Sequence, residues 1–137
     1  MATFVLYDAY VTVAGVDLSD HVKSVTVDAG QNMVDDTAMG DAFVSNAAGL
    51  ATWSISVEFL QDYALSKVDA TLQPLLGIGT TAALVVRPTS GAVSATNPDY
   101  HGTGILESYN PVGGAVGDQA MASATFQSAS ALSRSTS

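Results

Sequence analysis

The chain contains no cysteine, so it cannot form disulfides, thiolate metal sites or a cysteine nucleophile. Its 137 residues suit a single domain, spanning 1–137, that is large enough to bury a core without a covalent staple. Long apolar runs are also missing, and none approaches the roughly 20 apolar residues that cross a bilayer. The N-terminus lacks a basic region followed by an apolar stretch, so we expect neither a secretory signal nor membrane association.

Basic residues are scarce, with 4 Lys and Arg against 13 Asp and Glu, which gives a formal net charge of −9. An acidic surface repels nucleic-acid phosphates and anionic membranes, so classical DNA binding is disfavoured. Charged residues make up only 12% of the chain, about half the usual ~25% of soluble domains. The low charge suggests that partner subunits cover part of the surface.

Signatures of catalysis and of metal binding are missing as well. His21 and His101 lie in different segments, and neither has a second histidine at zinc-ligand spacing. The adjacent carboxylates of Asp35 and Asp36 point to opposite faces of a strand and do not match a calcium loop. Residues 77–82 fit G-x-G-x-x-[GA], but they follow a predicted helix and precede a strand, the reverse of the dinucleotide motif. We therefore predict no catalytic residues, no metal and no cofactor, and not an enzyme.

Short segments of alternating apolar and polar residues, separated by Gly, Pro, Asn and Asp, predict a mainly β protein. The fold expected from them is an antiparallel β-sandwich or barrel. The last two predicted strands form an antiparallel pair across a turn-rich loop at 110–114. The predicted strands are 22–28, 53–59, 84–87, 101–109 and 119–127, preceded by a tight hairpin over 10–18.

Three segments depart from the strand pattern. Leu65, Val68 and Leu72 recur at helical spacing, which predicts one flanking helix over about 63–76. Ser66 and Asp69 fit a capping box, and Asp62 is another possible cap. Residues 39–51 show neither strand alternation nor helical periodicity and are predicted to form a long loop. Loops of this length are uncommon in compact domains unless they are functional or disordered. The Ser- and Ala-rich segment 128–137 is expected to be mobile alone, or ordered as an arm on a neighbouring subunit.

Several stretches together resemble the major tail protein, or tail tube protein, family of long-tailed bacteriophages. The resemblance covers nearly the whole chain, although no single stretch is as specific as a catalytic motif. Residues 42–52 depart from it, because they are rich in alanine and carry no charge. The stretches that carry the resemblance are 17–22, 25–27, 36–41, 53–59, 68–77, 86–89, 94–100 and 108–112.

The resemblance implies a structural subunit in the virion tail, assembled in the host cytoplasm. Such subunits are β-sandwiches with a flanking helix; they form hexameric rings that stack into a hollow tube for genome ejection. Six copies would carry 6 × −9 = −54 formal charges, and an acidic lumen would let DNA pass without sticking. The implied partners are further copies of the chain, a tape measure protein, a tail terminator and tail initiator or tip proteins. Tubes of contractile tails and secretion machines share the fold, and the sequence leaves that choice open.

The resemblance also implies two groups of candidate site residues. The polar faces of the alternating strands are lumen candidates, with outer surface or subunit contact as the alternative reading. The long loop is expected to reach neighbouring subunits, unless Phe43 folds back onto its own core. The lumen candidates are Ser24, Thr26, Asp28, Ser54, Ser56, Glu58, Ser123 and Thr125, with Gln127 on the same face; the loop candidates are Asp41, Phe43, Val44, Asn46 and Leu50.

A function from a different class is also compatible with the sequence. A β-sandwich binding or adhesion module on a virion or cell surface could have the same strand pattern. Such a module would need an exposed aromatic cluster or a set of calcium ligands. The aromatic residues make up only 7% of the chain, and Trp53 shares a face with Ile55 and Val57, which places it in the core.

Overall fold

The chain folds into antiparallel strands, as the alternation of apolar and polar side chains predicts. The structure is a computed structural model that describes residues 5–136. Within those residues, eight strands form a single sheet and one short α-helix lies beside it. The strands are β1 Tyr10–Val13, β2 Val16–Asp17, β3 Val22–Asp35, β4 Asn46–Leu60, β5 Ala82–Arg87, β6 Asp99–Gly113, β7 Met121–Ser128 and β8 Ser133–Ser135. The helix is α1 Val68–Leu72, and 3₁₀ turns occupy Ser19–His21 and Gln73–Leu75. The predicted mainly β fold with a flanking helix is confirmed.

The sheet has the strand order β2-β1-β5-β6-β7-β4-β3, and β8 adds to β6 beside that path. Strands near its opposite ends contribute to one core, since Val13 of β1 and Phe59 of β4 belong to the same buried cluster. A flat sheet would hold these strands far apart, so the sheet must curl around the core, as twisted sheets do. The predicted sandwich or barrel is therefore one curled sheet with its two edges at β2 and β3.

The core is formed by the inward face of this curled sheet. Trp53, Ile55, Val57 and Phe59 of β4 are all buried, while the residues between them face outward. Phe126 of β7 packs with them and is fully buried. Burial of each such side chain contributes about 1.5–3 kcal/mol to folding. The alternation in the sequence thus assigned this face correctly.

The first hairpin is also confirmed. Ala14 and Gly15 connect β1 to β2 with φ angles of 53° and 84°. Positive φ at both central residues is the geometry of the two-residue turns that match strand twist. Glycine adopts it without steric cost at the second position.

The helix is much shorter than predicted. Residues 63–67 are turns rather than helix, because Ser66 has a φ of 61°, outside the right-handed helical region. The capping-box prediction is wrong too, since Lys67 occupies the N-cap and makes no side-chain cap hydrogen bond. Val68 and Leu72 are buried as the stripe predicted, whereas Leu65 is exposed.

The predicted loop at 39–51 is wrong in its second half. β4 begins at Asn46, so the connection between β3 and β4 is residues 36–45. Ala47, Ala48 and Ala51 pair with β3 across a register shift between Gln31 and Met33. Neither face of this stretch packs on the core, so nothing requires an alternating pattern there, and the strand was not visible in the sequence.

The end of β6 also differs from the prediction, because residues 110–113 are strand rather than loop. A register shift lies between Asn110 and Gly113, where β6 still pairs with β7. The Pro111 carbonyl accepts hydrogen bonds from Gln61 Nε2 at 2.6 Å and from the Tyr63 hydroxyl at 2.7 Å. These contacts hold a proline-containing stretch in the sheet at an irregular position, where proline is tolerated.

The C-terminal segment lies on its own chain. β8 pairs with β6, placing Arg134 opposite Tyr100. Trp53 Nε1 donates to the Ser130 carbonyl at 2.6 Å, and Leu132 packs against the core. The indole and the apolar contact give this Ser- and Ala-rich segment a fixed position that its composition did not predict.

Candidate functional site

The candidate lumen residues form one continuous polar face across β3, β4 and β7. The strand register aligns them in three rows that cross the sheet, each with one residue per strand. The core residues occupy the opposite face of the same strands. The rows are Ser24–Glu58–Ser123, Thr26–Ser56–Thr125 and Asp28–Ser54–Gln127.

Small hydroxyl side chains and a few acids make up this polar face. Seven of its nine residues are exposed, and Ser54 and Thr125 are partly buried. Ser24 Oγ lies 3.4 Å from a Glu58 carboxylate oxygen. Asp28 and Glu58 supply two negative charges, whereas none of the nine residues is basic. Lys23 borders the face beside Glu58 and Ser123, so the two acids give the nine residues a net negative charge with one cation at the margin. The nine residues therefore repel phosphates.

β6 extends the polar face with residues that the sequence reasoning missed. Ser108 pairs with Thr125, and Asn110 pairs with Ser123. Gln127 Nε2 donates to a Glu107 carboxylate oxygen at 2.6 Å, which adds a third acid. A register shift between Leu106 and Ser108 leaves Glu107 and Ser108 both exposed. This bulge interrupts the period of two, which is why alternation did not assign these residues.

The second group of candidates lies on a long β-hairpin made by the distal halves of β3 and β4. β4 pairs with β7 only from Ser54 onward, so Asn46 to Trp53 extend past β7. Eight residues at about 3.3 Å each give an extension of roughly 26 Å. We call residues 29–53 the arm and residues 36–45 its tip.

The arm exposes large apolar side chains. Phe43 is 87% exposed and Met39 is fully exposed, and both lie in the tip. The alternative in which Phe43 folds back onto its own core is therefore wrong. The other exposed apolar residues of the arm are Met33, Val34, Val44 and Leu50. An exposed apolar surface of this kind marks an interaction site.

The tip is ordered by its own hydrogen bonds. The Asp41 carboxylate accepts from the Ala38 N–H at 2.7 Å, so this candidate has a structural role within the loop. Thr37 Oγ1 accepts from the Ser45 N–H at 2.7 Å. Asp35 accepts from the Thr37 N–H at 2.9 Å, and its hydrogen bonds to Thr37 lower the pKa of this carboxyl. The apolar side chains are thus displayed on a defined loop.

His21 joins two parts of the chain through carboxylates. Its Nδ1 lies 2.8 Å from Asp20 and its Nε2 lies 2.9 Å from Asp62. The hydrogen bond from His21 lowers the pKa of Asp20. The Ala64 N–H and then His21 lower the pKa of Asp62. The Asp62 contact ties the 3₁₀ turn at Ser19–His21 to the segment before α1. Within residues 5–136 no group of three or more His, Asp or Glu is placed to hold a metal ion.

Two of the stretches that carried the resemblance also have structural roles. Ser19 Oγ accepts from the Val11 N–H at 2.9 Å, which ties the 3₁₀ turn to β1. Buried Asn97 accepts from the Thr89 N–H at 3.1 Å and donates to the Gly91 and Ala92 carbonyls. These side chains replace regular backbone pairing in the two loops.

Tyr109 connects the sheet to α1. Its hydroxyl donates to Asp69 at 2.9 Å and accepts from Gln61 Nε2 at 3.1 Å. Burial raises the pKa of Tyr109 to about 12. The hydroxyl therefore stays protonated at neutral pH and links β6 to α1 through neutral hydrogen bonds.

A family model described as "Phage tail tube protein" matches residues 12–100. This match spans most of the curled sheet, the arm and α1. The chain belongs to the phage tail tube protein family. It is a structural protein of a virion tail, not an enzyme, and the resemblance seen in the sequence is confirmed. No curated protein sequence matches the chain.

Solved structures with a similar fold come from a virion and from two tails. One from a "virion of native gene transfer agent (GTA) particle" is 17% identical, has a TM-score of 0.74 and aligns over 93% of this chain and 95% of its own. A second, from the tail of an empty GTA particle with C6 symmetry, is 18% identical, with a TM-score of 0.69 and coverage of 84% and 82%. The SPP1 tail tube subunit is 11% identical, with a TM-score of 0.73 and coverage of 95% and 77%.

None of the helices in residues 5–136 is long and apolar enough to cross a membrane.

Proposed function

We propose that six copies of this chain form a ring and that the rings stack into a hollow tube for genome ejection. Membership of the tail tube family and the C6 symmetry of a tail with a similar subunit support this assembly. In the tube the polar face lines the lumen and the arms reach neighbouring subunits. The expected partners of the tube are the tape measure protein, the tail terminator and the tail initiator or tip proteins.

The single observation that carries the proposal is the polar face opposite the core. Three paired strands present nine polar residues on one side, and no apolar side chain interrupts the rows. Such a face can be hydrated in a water-filled lumen. Its acidic side chains repel the phosphates of passing DNA, and none of the nine residues is a cation that would bind them. The sheet edges at β2 and β3, open in one subunit, are then covered by neighbouring subunits.

Negative-stain electron microscopy of the purified protein tests the assembly. We expect rings and tubes of uniform diameter, with a sixfold average in end views. A subunit that stays monomeric at high concentration and in the presence of the tail initiator would contradict the proposal.

A further inference from the structure

An apolar cleft opens where the curled sheet brings its β3 edge close to the strands opposite. It has a volume of about 360 Å³. Leu6 at its mouth is 53% exposed, so the cleft is accessible from solvent. The apolar walls come from Leu6, Val25, Val27, Val86, Pro88 and the ring of Tyr100.

One basic side chain, that of Arg87, lines this cleft. The Arg87 guanidinium stacks on the Tyr10 ring, with Cζ 4.0 Å from the ring centroid. Its Nη1 donates to the Gly91 carbonyl at 2.7 Å. Among the described residues, Arg87 is the one charged residue that lines the cleft, so its positive charge favours an acidic occupant.

The tip of the arm has the matching properties. It displays Phe43, Met39 and Val44, which are 87%, 104% and 73% exposed. The charged residues of the whole arm are Asp35, Asp36 and Asp41, with no Lys or Arg. An apolar, acidic segment thus complements an apolar cleft that holds an arginine.

The tip cannot reach the cleft of its own chain. Val25 and Val27 of the cleft lie near the start of β3, and the tip begins after Asp35 at its end. Eight residues of extended strand place the two about 26 Å apart. β4 pairs with this stretch on both sides of the register shift at Gln31–Met33 and holds β3 extended. A tip that occupies the cleft must therefore belong to a second copy.

We propose that the arm tip of one subunit binds in the cleft of another copy of the chain. Phe43 enters the apolar part, and the acidic groups of the tip face Arg87. The arm and the cleft are different surfaces of one subunit, so the contact is heterologous and can continue around a ring or from ring to ring. This inference rests on the proposed self-assembly, and it names the surface that the arm binds.

The absence of cysteine allows a direct test with single-cysteine variants. Copies with Ala42→Cys, an exposed tip position that keeps Phe43, are mixed with tagged copies carrying Leu6→Cys, assembled, and oxidised or treated with a bifunctional maleimide. A link between positions 42 and 6 then joins two different copies. The control replaces Leu6→Cys by Val116→Cys, since Val116 is fully exposed and lies in the β6–β7 connection. Ala9→Cys gives a second cleft position if Leu6→Cys copies assemble poorly.

We expect on the order of tenfold more tagged heterodimer from the cleft pair than from the control pair, because docking raises the effective concentration of the two thiols. Adding Arg87→Glu to the cleft copy should reduce the yield severalfold. Tubes that form with equal heterodimer from both pairs would overturn the docking proposal and leave the tube intact. Failure of the unsubstituted chain to form rings or tubes would count against the proposed function itself. A Leu6→Cys thiol already shielded in the isolated subunit would place a segment of the same chain in the cleft and also overturn the proposal.

Discussion

At the scale of single residues, the close packing of Leu84 and Trp53 on β6 explains why glycine occupies position 104. A Cβ added there would lie 2.8 Å from Leu84 Cδ1 and 3.3 Å from Trp53 Cη2. The indole packs directly on the β6 backbone, and the Trp53 N–H binds the Ser130 carbonyl. A glycine in a strand often marks such an approach.

Gly104→Ala should lower the free energy of unfolding by about 1–3 kcal/mol, because the core must shift to admit the methyl group. Urea unfolding of the isolated subunit, followed by Trp53 fluorescence, measures the loss. Gly30→Ala is the matched control, since an added Cβ at Gly30 meets nothing within 4 Å. Equal effects of the two substitutions would contradict the packing argument.

Tyr109→Phe should destabilise the subunit by about 1 kcal/mol, through loss of the hydrogen bonds to Asp69 and Gln61. A raised pKa means that the folded state holds the Tyr109 proton more tightly than the unfolded state. This stability is present below about pH 10 and is lost as pH rises towards about 12. The stability difference between the two proteins should therefore shrink over that range. Tyr7→Phe, at an exposed position, should show no such change.

At the scale of elements, sequence patterns worked where a strand or helix touches the core. Trp53 to Phe59 alternate because one side is buried, and Val68 and Leu72 mark the buried side of α1. The same reasoning failed for 46–51, since neither face of that stretch packs on the core and no alternating pattern is required there. The helix prediction also failed at 63–67, because the positive φ of Ser66 is incompatible with a right-handed helix there.

The C-terminal segment provides a prediction at this scale. A chain ending at Ser128 loses the acceptor for the Trp53 N–H and uncovers the surface under Leu132. We expect the free energy of unfolding to fall by about 1–3 kcal/mol, with red-shifted Trp53 fluorescence, because a buried donor is left unpaired. A chain ending at Ser135 keeps these contacts and is the control. An isolated subunit unaffected by the longer truncation would contradict this packing.

At the scale of the whole molecule, part of the acidic charge lies on two surfaces, the polar face and the arm. Asp28, Glu58 and Glu107 share the polar face, and three further acids lie on the arm. The low total charge fits a subunit whose arm and sheet edges are covered by other copies. Both features were visible in the composition, but their placement on separate surfaces was not.

Replacing both Asp28 and Glu58 with lysine tests the lumen assignment. We expect tubes to form and infectivity to fall, because cations facing the lumen would bind phosphates of the passing DNA, more strongly at low salt. The control adds lysines at Gln73 and Ile78, two exposed positions outside the polar face. Tubes of the Asp28 and Glu58 variant that eject DNA normally would remove both residues from the lumen.

The sequence by itself determined the β-rich class, the inward faces of β3, β4 and β7, the polar residues opposite and the tail tube family. Those properties follow from local periodicity and short motifs, which the chain order records directly. Only the tertiary structure decided that the polar residues of β3, β4 and β7 align in three rows, with β6 joining them past a bulge. It alone showed the arm and the cleft, because they depend on which strands pair and where pairing stops. Register and curvature arise from contacts between residues far apart in the chain, and no local pattern encodes them.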